Sequence, residues 1–236
     1  MNTLTPTFAI QRAGERYFAD HGWLRTYHSF SFADYYDPNN ESWGAVRVFN
    51  DDYIAGGAGF PPHPHRDMEI VTYVLQGELA HQDSMGNHGV VGPGGVQFMS
   101  AGTGVRHSEF NHRPGDELHL VQMWVLPGKV GTPPSYGQQS FDVADRTNRW
   151  LRIVSGRAAV EAPIRITQDA TFSVARVEDV QIVYDFDEKR HGFAFVADGT
   201  VEVNGEILQR GDAVRLYDVA RLAVSGRGEL VLWDTI

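Results

Sequence analysis

Short apolar runs broken by turn residues dominate the chain, and long stretches with an apolar stripe at a period of 3.6 are scarce. Ile70-Val71-Thr72-Tyr73-Val74-Leu75, Gly95-Val96-Gln97-Phe98-Met99 and Leu118 to Leu126 are rich in β-branched and aromatic residues. Such side chains suit a pleated, half-buried surface. Many short strands at close spacing predict an all-β sandwich or barrel. Asp198-Gly199, Asn204-Gly205 and Pro93-Gly94-Gly95 tolerate positive φ and read as turns.

The strand rhythm is clearest in the C-terminal half. Phe193 to Val196, Val201 to Val203, Leu208 and Ala213 to Leu216 alternate with turn residues, and a looser version precedes residue 100. Pro127 to Ser140 holds three Pro and three Gly with few apolar residues. It reads as a linker, set at residues 131–140. The expected layout is two antiparallel β-barrels, residues 1–130 and 141–236.

Composition narrows the function classes. Of 236 residues, 42% are hydrophobic and 21% charged, as in a folded globular protein. Thirty acids against twenty bases give a net charge of −10, and Lys129 and Lys189 are the only lysines. An acidic surface repels phosphate backbones, so nucleic acid is not an expected direct ligand. Cysteine is absent, which excludes thiol nucleophiles, disulfides and Cys-bound metal sites. Met1 to Glu15 has no long apolar stretch, and the run Ile70 to Leu75 is far too short to cross a bilayer. The expectation is a cytoplasmic protein with no membrane partner.

Seven of the ten His fall between His63 and His119. The sharpest cluster is Pro62-His63-Pro64-His65-Arg66-Asp67-Met68-Glu69, followed by His107-Ser108-Glu109. On a strand, residues two apart share a face, which groups His63 with His65 and His107 with Glu109. Glu69 joins the first pair if that strand runs on. Two facing strands would then collect three imidazoles and one or two carboxylates, a set that suits a divalent transition metal over calcium or magnesium. His81, His88 and His112 read as loop or surface residues. His119 and Met123 share a parity that could line the first barrel, although core packing is the commoner role of such a Met. Gly102-Thr103-Gly104 reads as a turn before a ligand strand, and Asp187-Glu188-Lys189-Arg190 as a solvated turn.

Gly57, His63-x-His65, Glu69 and Gly77 together resemble the first cupin motif, and Gly104-Val105-Arg106-His107 with Asn111 resembles the end of the second. The chain more closely resembles pirin and the bacterial pirin-like proteins. The residues that carry this are His28-Ser29-Phe30-Ser31-Phe32, Tyr36-Asp37-Pro38, Pro62-His63-Pro64-His65-Arg66, Met99 to Gly104, His107-Ser108-Glu109 and Gln122-Met123-Trp124-Val125. The resemblance is specific over residues 22 to 127 and elsewhere follows a general cupin pattern. It implies a bicupin with one divalent transition metal per chain, held in the first barrel by His63, His65, His107 and Glu109. Iron(II) is the first expectation, and manganese, cobalt, nickel, copper and zinc suit the same ligands. Glu69 is left a role beside the ligands or facing substrate. The second half holds a single His, His191, and is expected to carry no metal.

The resemblance implies a quercetin 2,3-dioxygenase, which opens the central ring of a flavonol with dioxygen and releases carbon monoxide. The partners are then a small apolar aromatic substrate and dioxygen. Glu109 is the first candidate for the base that takes the substrate's proton, and Glu69 the second. The alternative is a metal-binding regulatory protein that acts through a protein partner without turnover, as the eukaryotic pirins resemble.

Overall fold

The computed structural model describes residues 7–236. Residues 1–6, part of the stretch read for a signal segment, lie outside the described residues. The regular structure of those described is almost all strand, with one short α-helix at Val143–Arg146 and a 3-10 turn at Ala13–Glu15, and no helix among them is long and apolar enough to cross a membrane. They divide into two compact units.

The first unit comprises Tyr17–Ser42 and Arg47–Phe141. It stacks two sheets. The larger has seven strands in the order Ser135–Gln139, Val96–Ser100, Glu69–Gln76, Leu118–Val125, Val46–Ile54, Leu24–His28 and Tyr17–Asp20. The smaller has the order Gly59–His65, Val105–Asn111, Leu79–Asp83 and His88–Val91. Leu24, Ile54, Val74, Leu118 and Leu120 of the larger sheet pack with Leu79 and Val91 of the smaller. Fully burying one such side chain is worth about 1.5–3 kcal/mol, so this apolar end holds the sheets together. The inner face changes character along each strand. Leu24 gives way to Thr26 and His28, Ile54 to Asp52 and Asn50, and Leu120 to Gln122 and Trp124. The apolar end seals the sandwich, and the polar end opens into a cavity.

The second unit comprises the described residues before Tyr17, then Trp43–Val46 and Asp142–Ile236. Its sheet has nine strands, with Thr7–Gln11, Ala213–Tyr217, His191–Val203, Arg221–Thr235 and Ala170–Glu178 adjacent in that order. Val196, Leu216, Leu230 and Leu232 are central to its core. Asn204 (φ 48°) and Gly205 (φ 89°) form the expected tight turn.

The architecture is the bicupin expected, built from stacked open sheets rather than closed barrels. Four local readings change. Phe8 and Ile10 pair with Leu216 and Val214, so the first described strand, Thr7–Gln11, belongs to the second unit. Residues 135–139, inside the expected linker, form an edge strand on Val96–Ser100. Asp198-Gly199 lies within one long strand, just past a bulge at Ala197, and is not a turn. Arg190 of the expected solvated turn is buried and bonds Asp234 at 2.6 Å. All four depend on partners distant in sequence, which local turn chemistry does not reveal.

Candidate metal centre

His63 and His65 lie on the strand Gly59–His65, and His107 and Glu109 on its neighbour Val105–Asn111. His63 stands directly opposite His107 in the antiparallel register. A bulge between His107 and Glu109 then shifts the pairing, so Glu109 meets Phe60. Gly59 permits the close approach there, because a Cβ on it would fall 2.2 Å from the Glu109 carbonyl oxygen. The turn at Gly102-Thr103-Gly104 precedes the His107 strand as expected. Gly102 has φ 43°, and a Cβ there would sit 2.0 Å from the Thr132 carbonyl oxygen.

The three rings form a compact triangle. Their centroids lie 4.4 Å apart for His63–His107 and 4.8 Å for both His63–His65 and His65–His107. One donor atom from each lies within 4.8 Å of the others. His63 Nδ1 lies 2.8 Å from the Pro61 carbonyl oxygen, which fixes Nδ1 as the protonated nitrogen and leaves Nε2 to coordinate. Burial, reinforced by His107 and His63, lowers the pKa of His65 to about 4. Burial, with His63 and His81, lowers that of His107 to about 3. Neutral imidazole is the ligand form, so both rings are ready near pH 7. His107 is buried with neither ring nitrogen hydrogen-bonded. A buried orphan of this kind calls for an explanation, and a coordinated ion supplies one. The residues therefore fit a metal.

Glu109 lies beside this triangle rather than within it. Its donor atom groups with His107 and His81, again within 4.8 Å. Gln97 Nε2 donates to one of its oxygens at 2.6 Å and Gln122 Nε2 to the other at 2.9 Å. Gln97 and Gln122 each pair with Thr72, so one row across three strands aims two amides at the carboxylate. Each oxygen keeps a further lone pair for an ion or a substrate proton.

His81 is not a surface residue. It is buried opposite Glu109, stacks on Tyr136 at 4.2 Å and places Nε2 3.2 Å from Asp83 Oδ2. Its alternation with Asp83 along one strand was the available signal. His119 does not line the cavity: it is buried against Tyr53 and bonds Asp51 at 2.6 Å. Met123 is core. Glu69 does not share the face of His65. The strand ends at His65, Asp67 turns the chain at φ 45°, and Glu69 begins a strand of the other sheet, paired with Ser100. It is buried and absent from the cavity lining.

The cavity has a volume of about 350 Å³. His63, His65 and Glu109 line it from the small sheet side. Trp23, Phe32, Phe60 and Trp124 supply aromatic walls, and Gln122 reaches in beside them. Phe32 packs edge-on to Trp124 at 5.2 Å, whereas Phe30 is core.

The family model described as Pirin matches residues 11–125, and that of the quercetinase C-terminal cupin domain matches residues 153–232. The chain is 40% identical over 228 residues to the Escherichia coli protein named quercetin 2,3-dioxygenase, covering 95% of this chain and 97% of that one. It is 44% identical over 219 residues to a pirin-like protein of Caulobacter vibrioides, covering 92% and 94%. Among solved structures it is similar to YhhW from Escherichia coli, with a TM-score of 0.91, 39% identity and 98% of each chain covered. A structure of that bacterial pirin in complex with nickel(II) gives 0.90, at 38% identity, covering 97% of this chain and 99% of that one.

Proposed function

We propose, for a chain that belongs to the pirin family, a metal-dependent dioxygenase that cleaves a flavonol such as quercetin by 2,3-dioxygenation with release of carbon monoxide. The observation that carries this reading is the triangle of three imidazoles beside a cavity with aromatic walls. The name of the Escherichia coli relative and the nickel complex of YhhW support it.

In this reading His63, His65 and His107 would hold the ion with Glu109 as fourth ligand, one ion per chain. Iron(II) is the first candidate, and nickel suits the same donors. When bound, a divalent ion supplies Lewis acidity toward a substrate hydroxyl and an electron conduit toward dioxygen. The rest is the work of the chain. Trp23, Phe32, Phe60 and Trp124 enclose a flat ring system and exclude water from it. Glu109 takes the proton of the flavonol 3-hydroxyl, with Gln97 and Gln122 fixing the direction from which it does so. Pre-set orientation of this kind is where an enclosed site gains most over solution. Glu69 stands on the face of its strand opposite to Thr72, away from the row that aims at Glu109, and takes no part in the proton transfer.

The test is oxygen uptake with quercetin by protein of known metal content. Turnover that scales with bound metal is expected. Metal binding without any oxygen uptake would overturn the enzyme reading in favour of a regulatory, partner-binding role.

A further inference from the structure

Four side chains of the large sheet line the cavity without a part in the chemistry above: Thr26, His28, Asn50 and Asp52. The register pairs Thr26 with Asp52 and His28 with Asn50, so all four share the inner face. All four are at most 5% exposed. Yet His28 Nδ1, Asn50 Oδ1 and Asp52 Oδ1 have no hydrogen-bond partner. One pair further along the same two strands stand Leu24 and Ile54, which pack into the apolar core. Polar side chains in that row cost stability unless something bonds them.

Side chains of this row border the cavity and are short of partners, and an aromatic hydroxyl, at once donor and acceptor, is the ligand group that suits them. Trp23, Phe32, Phe60 and Trp124 supply the aromatic walls of the same cavity, a lining that suits a flat ring. We propose that Asn50 and Asp52, flanked by Thr26 and His28, form a hydroxyl-binding subsite. It selects among aromatic ligands by the donor groups on the end that does not reach the imidazoles. The ligand class rests on the oxygenase reading; the subsite itself rests on the buried polar row that lines the cavity short of partners. Burial, opposed by Thr26 and reinforced by Asp51 and Glu109, raises the Asp52 pKa to about 7, in keeping with a carboxyl group short of partners.

The test measures binding rather than turnover. Metal-loaded full-length protein is titrated with quercetin and with galangin, the flavonol lacking both hydroxyls of the pendant ring, and quenching of tryptophan fluorescence is followed. The wild type is expected to bind quercetin about ten-fold more tightly, the equivalent of one or two well-made hydrogen bonds. Asn50→Leu and Asp52→Leu should bring that ratio within about two-fold while galangin binding holds. Asp52→Asn, which keeps an acceptor, should retain part of the preference and provides a reading if the Leu variant does not fold. Equal binding of the two flavonols by the wild type, or an unchanged ratio in the variants, would overturn the subsite. Discrimination without oxygen uptake would sink the oxygenase reading and leave the subsite standing. Turnover without discrimination would do the reverse.

Discussion

Asp52→Asn isolates a single buried carboxyl whose energetic effect follows from its position. In the folded protein burial raises its pKa from 3.8 to about 7. The folded state therefore holds the proton where the unfolded chain has released it. Stability from this group is present at low pH and is lost as pH rises through about 7. With those two pKa values, linkage gives a loss of about 2.5 kcal/mol between pH 5 and pH 8. Asparagine has nearly the same shape and does not titrate. Urea unfolding of metal-free wild type and variant at the two pH values, followed by tryptophan fluorescence, reads the difference, and other titrating groups cancel in the subtraction. The variant should gain about 2.5 kcal/mol on the wild type from pH 5 to pH 8. An equal difference at both pH values would refute the assignment of a displaced carboxyl, because no proton uptake by Asp52 would then accompany folding.

Replacing His63 and His65 together by Ala should strip most of the metal while circular dichroism still reports the β fold; a full equivalent of retained metal would refute the ligand assignment. Glu109→Gln should abolish quercetin-dependent oxygen uptake and weaken metal binding, whereas Glu69→Gln should keep the metal and lose less activity. If Glu69→Gln instead strips the metal and Glu109→Gln does not, the two roles must be exchanged. Gln97→Leu removes one of the two amides that aim Glu109 and should cost on the order of 10–100-fold in metal affinity or rate. Wild-type values for both in Gln97→Leu would show that Glu109 needs no such support.

Strand content, two cupin-like parts and the closeness of His63, His65 and His107 were legible in the sequence. These are local properties: side chains two apart on a strand share a face, and alternation and turn residues can be read within a few positions. The tertiary structure decided which faces meet. The turn at Asp67 separates Glu69 from His65 by ending one strand and starting another in a different sheet. His81, Gln97 and Gln122 approach Glu109 from strands far apart in sequence. Thr26, His28, Asn50 and Asp52 form one polar wall only through the register of two strands about two dozen residues apart. The strand Thr7–Gln11 finds its partner some two hundred residues away, which no window on the sequence contains. Parity along a strand is fixed by covalent geometry, whereas register and sheet stacking follow from the burial of the whole chain.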